Sequence, residues 1–160
     1  ISYSTCINAY ANSNTQQSGL HADAILRRMT ARYLLGDTKC RPNAVAFTSC
    51  MKSHSAAINA TLSLMGSGSG DGGDGEPTTA TSKSDDENSN YNNIQIIEAS
   101  ARRCEDLLQQ LCLLHLNHGN DRSLKPTSVT FDIAVKALMQ IDDTEGVQRV
   151  EELRREHLEG

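Results

Sequence analysis

Three stretches share one cadence: Ser2-Tyr3-Ser4-Thr5-Cys6-Ile7-Asn8-Ala9-Tyr10-Ala11, Ala46-Phe47-Thr48-Ser49-Cys50-Met51-Lys52-Ser53-His54-Ser55, and Thr130-Phe131-Asp132-Ile133-Ala134-Val135-Lys136-Ala137-Leu138-Met139. In each, an aromatic is followed at +3, +4 and +7 by further packing residues, the spacing of one face of an α-helix. Pro42 and Pro126 stand shortly before the second and third copies. A helix that returns with the same lead-in is a repeat unit.

Working outward, each copy is followed by a second periodic segment. Ala22, Ile25, Leu26 and Met29 have the 0, +3, +4, +7 spacing, and so do Cys104, Leu107, Leu108 and Leu111. Gly146, Val150 and Leu153 hold the corresponding places in a third segment. The spacing predicts helices over 2–13, 20–35, 45–64 and 94–115, then over the third cadence and from about Thr144 onward. Gly36 and Gly119 are expected to stop the second and fourth helices, since glycine adopts the left-handed conformation that follows a helix end. The chain therefore divides into antiparallel helix pairs over 1–43 and 44–127 and a partial third pair over 128–160. One pair cannot bury its apolar face alone, whereas stacked pairs can, so the expected class is an all-α solenoid.

The second pair is interrupted. From Gly66 to Asn93 the chain is rich in Gly, Ser, Asp and Asn with almost nothing apolar, and 66–93 is expected to be a disordered insertion. The chain begins with Ile1 rather than Met and is expected to be a segment of a longer array.

Composition limits the functions open to it. Twenty acidic against fifteen basic residues give a net charge of −5, which counts against strong binding to nucleic acid through phosphate neutralisation alone. Asp71, Asp74, Glu76, Asp85, Asp86 and Glu87 lie in the polar tract, so the remainder is close to neutral. No apolar run approaches the ~20 residues of a membrane span. The five cysteines form no C-x-x-C pair. Cys6 and Cys50 share a place that Ala134 takes in the third copy, and they read as small core residues rather than as a disulfide or metal set.

The aromatic of the first helix, the A-x-x-[LI]-[LF]-x-x-M pattern from Ala22 to Met29, Gly36 after it, and the pairs Pro42-Asn43 and Pro126-Thr127 together resemble a run of pentatricopeptide repeats. The resemblance covers everything but the polar tract. It implies a right-handed superhelix whose first helices line a concave face, binding single-stranded RNA at one base per repeat in mitochondria or chloroplasts. The residue after the aromatic and the residue after the proline would read the base: Ser4, Thr48 and Asp132, with Asn43 and Thr127. Ile1, Val45 and Val129 would wedge between bases. Ser4 with Asn43 implies a preference for adenine. The lysine that such repeats often carry late in the first helix is replaced by Asn12, Ala56 and Gln140.

Helix geometry is compatible with these roles. At about 100° per residue, wedge, reader and the residue four beyond the reader fall in a stripe of roughly 60°. It reads Ile1/Ser4/Asn8, Val45/Thr48/Lys52 and Val129/Asp132/Lys136, with Lys52 and Lys136 placed to meet phosphates. Each position has a plainer reading. Short polar residues at a helix start cap free N–H groups, the valines can be contacts between repeats, and the lysines can be solvated charges.

Elsewhere, His115 and His118 read as a surface pair with no third metal ligand. Arg27-Arg28, Arg102-Arg103 and Arg154-Arg155 read as solvated faces of second helices. No nucleophile motif, phosphate loop or paired carboxylates occur, so no catalysis, cofactor or metal is expected. Beside RNA binding in organellar RNA processing, stability or translation, with other RNA-processing proteins as possible partners, two alternatives stand. One is a protein-binding scaffold of tetratricopeptide type; the other is the substrate-binding segment of a larger RNA-processing enzyme.

Overall fold

The computed structural model describes residues 2–66, 83–118 and 121–159. Among them are six α-helices and no strand: α1 (Tyr3–Ala11), α2 (Ser18–Leu34), α3 (Ala44–Gly66), α4 (Lys83–Asn117), α5 (Ser128–Met139) and α6 (Thr144–Arg154). The chain ends in a π-helical turn, Arg155–Glu159.

The helices pack in pairs, α1 with α2, α3 with α4, and α5 with α6. First helices also touch first helices, α1 against α3 and α3 against α5. Each second helix meets the first helix of the next pair, α2 against α3 and α4 against α5. This arrangement follows from the cadence. Ile7, Cys50, Met51, Ala134 and Leu138, its +3, +4 and +7 residues, are buried, as are Ala22, Leu26 and Met29 of α2 and Cys104, Leu107, Leu108 and Leu111 of α4. Each fully buried leucine removes enough apolar surface from water to contribute about 1.5–3 kcal/mol, so the three of α4 anchor the longest helix.

The two connections between pairs are built alike. Asp37 caps a 3₁₀ turn, Thr38–Cys40, by accepting the Lys39 N–H at 3.2 Å. Asp121 caps the turn Arg122–Leu124 by accepting the Ser123 N–H at 2.8 Å. Cys40 and Leu124 then enter the core, and a proline follows two residues later. Arg41 of the first connection reaches Asp121 of the second at 2.8 Å. The backbone bonds of Ser123 and the neighbouring Arg41 hold the Asp121 carboxyl below its ordinary pKa.

Gly36 stops α2 as expected, with φ of +98°. Asp37 N–H bonds the Arg32 carbonyl and Gly36 N–H bonds that of Tyr33, both at 3.0 Å, which together satisfy two of the orphan carbonyls of the helix end. Asp142 stops α5 in the same way at φ of +54°, in the left-handed conformation that aspartate tolerates better than most residues. The expected stop at Gly119 lies outside the described residues.

One expectation is corrected. Of the tract 66–93, residues 67–82 lie outside the described residues, but Gly66 closes α3 and 83–93 form the first turns of α4. Ile97 is buried and Asn93 accepts a bond from Gln16 of the first pair at 3.0 Å. Once a helix is anchored this way, each added residue gains a backbone hydrogen bond without a new nucleation cost, which carries α4 back into polar sequence.

Candidate nucleic-acid interface

The row α1–α3–α5 carries the expected stripe. Val45 and Val129 are 62% and 49% exposed, so neither is buried between pairs. Lys52 and Lys136 are exposed, as are Asn8 and Asp132, while Ser4 and Thr48 are half-buried. Ile1 lies outside the described residues.

The polar positions are engaged within the protein to different degrees. Asn43 Oδ1 accepts the Ala46 N–H at 2.9 Å and caps α3, the plainer role for a short polar residue at a helix start. Thr127 stands at the N-cap of α5, where Thr130 Oγ1 accepts the Thr127 N–H at 3.2 Å. Thr48 Oγ1 lies 3.2 Å from the buried Thr130 hydroxyl, a bond between first helices of successive pairs. Asp132 is paired with Arg154 of α6, which also meets Glu151 at 3.0 Å and lies 5.8 Å over the Phe131 ring. Four of the five expected readers therefore already have partners or cap positions, and Asp132 is neutralised by its own helix pair.

Two of the six paired arginines, Arg103 and Arg154, are half-buried rather than on solvated faces, and Arg149 outside the pairs also binds a buried acid. Arg103 bonds Asp23 through Nε at 3.1 Å and through its terminal nitrogen at 2.8 Å. Arg149 does the same for Glu105 at 2.7 and 3.1 Å. Both carboxylates are 6% exposed, so each needs its arginine. The two contacts are one device, an acid one place after the small residue of a second helix, bound by an arginine of the next second helix. Arg27, Arg28, Arg102 and Arg155 remain exposed. His115, instead of lying on the surface beside His118, is buried with Nδ1 3.0 Å from the Asp121 carbonyl oxygen.

A buried polar group that the sequence did not reveal as a cluster lies where α2 meets α3. Asp23, Cys50 and His54 are all buried, and one ligand-type atom of each lies within 4.8 Å of the others. Burial lifts the Cys50 thiol to about 12 and lowers His54 to about 4. Cys50 and His54 are four apart on one helix, a visible sign, but Asp23 comes from another helix.

No helix among the described residues is long and apolar enough to cross a membrane. Comparison with protein-family models, curated proteins and solved structures finds no match.

Proposed function

We infer that this chain is part of an α-solenoid of pentatricopeptide kind that binds single-stranded RNA along the row α1–α3–α5, in organellar RNA processing, stability or translation. The observation that carries the reading is the exposure of Val45 and Val129, in the same register on adjacent first helices. Neither valine belongs to the core formed by the described residues, and a β-branched side chain is shaped to press on a base face. Lys52 and Lys136, seven residues on from each valine, supply charge for the backbone. Asn43 caps α3 with its carbonyl oxygen, so its amide nitrogen is the atom a base would meet. Thr48 would exchange its bond to Thr130 for a base edge, and Asp132, held by Arg154, makes the third pair the weakest reader.

The test is selection of RNA from a randomised single-stranded pool at low salt, followed by salt titration of the enriched sequence. Lys52→Ala with Lys136→Ala should lower the slope of log affinity against log salt by about 1.4, the value for two lost phosphate contacts on a single strand. Failure to enrich any sequence, or an unchanged slope, overturns the reading.

A protein-binding scaffold is favoured by a different observation. Leu34, Leu113 and Leu116 are 77%, 58% and 57% exposed on second helices, and a groove of about 470 Å³ between α2 and α4 is lined by Leu26, Leu34, Phe47, Leu113 and Leu114. Retention of a peptide partner by the Lys52/Lys136 double variant, with no RNA enriched, would decide for that reading.

A further inference from the structure

We propose that Asp23, Cys50 and His54 form a zinc-binding site that ties the first helix pair to the second. His54 is 3% exposed, and neither ring nitrogen has a hydrogen-bond partner among the described residues. A buried imidazole without a partner is costly to the fold, so its presence calls for a ligand. The space around it is shaped for the ring. A Cβ on Gly19 would stand 2.4 Å from Nδ1 and 2.8 Å from Cγ, and only glycine lets α2 approach this closely.

The register of the repeats separates the metal candidate from ordinary packing. Three and seven residues after Phe131, the third pair has Ala134 and Leu138, both buried, where the second has Cys50 and His54. Three residues before the small residue of the second helix, α4 has Ala101 where α2 has Gly19. The acid, in contrast, is present in both, as Asp23 and Glu105, and is accounted for by its arginine. The α2–α3 junction thus differs from its counterpart by a thiol, an imidazole and the room for them.

The donor set is one nitrogen, one sulfur and one oxygen, which suits the borderline-soft zinc ion. At zinc–ligand distances of about 2.0–2.3 Å a tetrahedral ion needs ligand atoms about 3.3–3.7 Å apart. The three ligand atoms lie within 4.8 Å of one another, so binding draws them together by up to about 1.5 Å. Two arginines face Asp23: Arg103, 21% exposed, and Arg27, 71% exposed and 2.8 Å away. The carboxylate keeps Arg103 and exchanges the mostly solvated Arg27 for the ion. On binding, the Cys50 Sγ–H proton leaves to solvent and sulfur forms the metal bond, so one positive charge is added to the site per zinc. Three protein ligands leave the fourth position to water or another exogenous donor.

The test uses the full chain, stripped with chelator and titrated with zinc against a chromophoric competitor and, separately, with cobalt. The expected result is one equivalent bound, with a thiolate-to-cobalt charge-transfer band and a raised melting temperature. Cys50→Ala and His54→Leu, which place the third pair's own residues at these positions, should keep the helical signal and weaken zinc binding by ~100-fold or more, and Cys50→Ala should abolish the band. Absence of a bound equivalent overturns the site. So does zinc affinity or a cobalt band that survives both variants, which would mean binding elsewhere, for example by His115 and His157.

Discussion

The junction of α2 with α3 and the junction of α4 with α5 occupy the same register of successive helix pairs, yet they solve burial differently. Both hold a carboxylate 6% exposed, Asp23 in one and Glu105 in the other. Asp23 has two arginines, Arg27 and Arg103. Glu105 has Arg149, with Gln109 Nε2 at 3.2 Å as the remaining donor. Asp23 lies beside Cys50 and His54, whose places in the register of α5 are taken by the apolar Ala134 and Leu138. The comparison teaches that both junctions hold a buried acid where the next second helix supplies an arginine, whereas of the two only the α2–α3 junction carries the thiol and imidazole.

The sharpest way to break the comparison is to remove the arginines. Arg149→Ala leaves Glu105 buried with only Gln109, whereas Arg103→Ala leaves Asp23 with Arg27. Loss of a buried partner costs about 3–5 kcal/mol, and the half-exposed position of Arg149 reduces this to about 3 kcal/mol after solvent screening. Arg103→Ala should cost about half as much. Urea denaturation of both variants measures the difference, and equal losses would mean that Arg27 contributes nothing to Asp23.

A second variant makes the two junctions alike. In chelator, His54→Leu removes two unpaired nitrogens and should raise stability at neutral pH by about 1–2 kcal/mol, part of the gain being lost to the hollow over Gly19. It should also change the response to acid. His54 is held at about 4 against an ordinary 6.5, so between these values the unfolded chain binds a proton that the folded chain does not. Its contribution is therefore fully present above about 6.5 and is lost as pH falls toward 4, by about 3 kcal/mol. Denaturation midpoints across that window should fall more steeply for the parent than for His54→Leu, and parallel curves would refute the assignment.

The smallest effect concerns the helix stops. Gly36 and Asp142 both adopt positive φ, but only the first is a glycine. Asp142→Gly should stabilise the α5–α6 turn by about 0.5–1 kcal/mol, relief of left-handed strain exceeding the added freedom of the unfolded chain. No gain in melting temperature would show that the aspartate conformation is unstrained.

Much of the fold was legible from residue spacing. The cadence with its +3, +4 and +7 partners located α1, α3 and α5, and the Ala22–Met29 pattern located α2 and its counterpart in α4. The extension of α4 into 83–93 was not legible, because composition reports the absence of apolar residues but not a helix already anchored at Ile97. Nor was the engagement of the stripe. Thr48, Asp132 and Asn43 look alike as short polar residues near helix starts, yet one bonds Thr130 of the next pair, one meets Arg154, and one caps its own helix.

The sequence by itself determined which residues share a helix face, because that depends only on a local repeat of 3.6 residues per turn. It thereby determined the pairing of helices and the placing of Val45 and Val129 in one register. Only the tertiary structure decided which polar groups meet across helices. Asp23 and Arg103 are eighty residues apart, and Asp23, Cys50 and His54 converge solely because α2 packs on α3. Such contacts are set by how faces dock, a property of the assembled pairs that no single helix period contains.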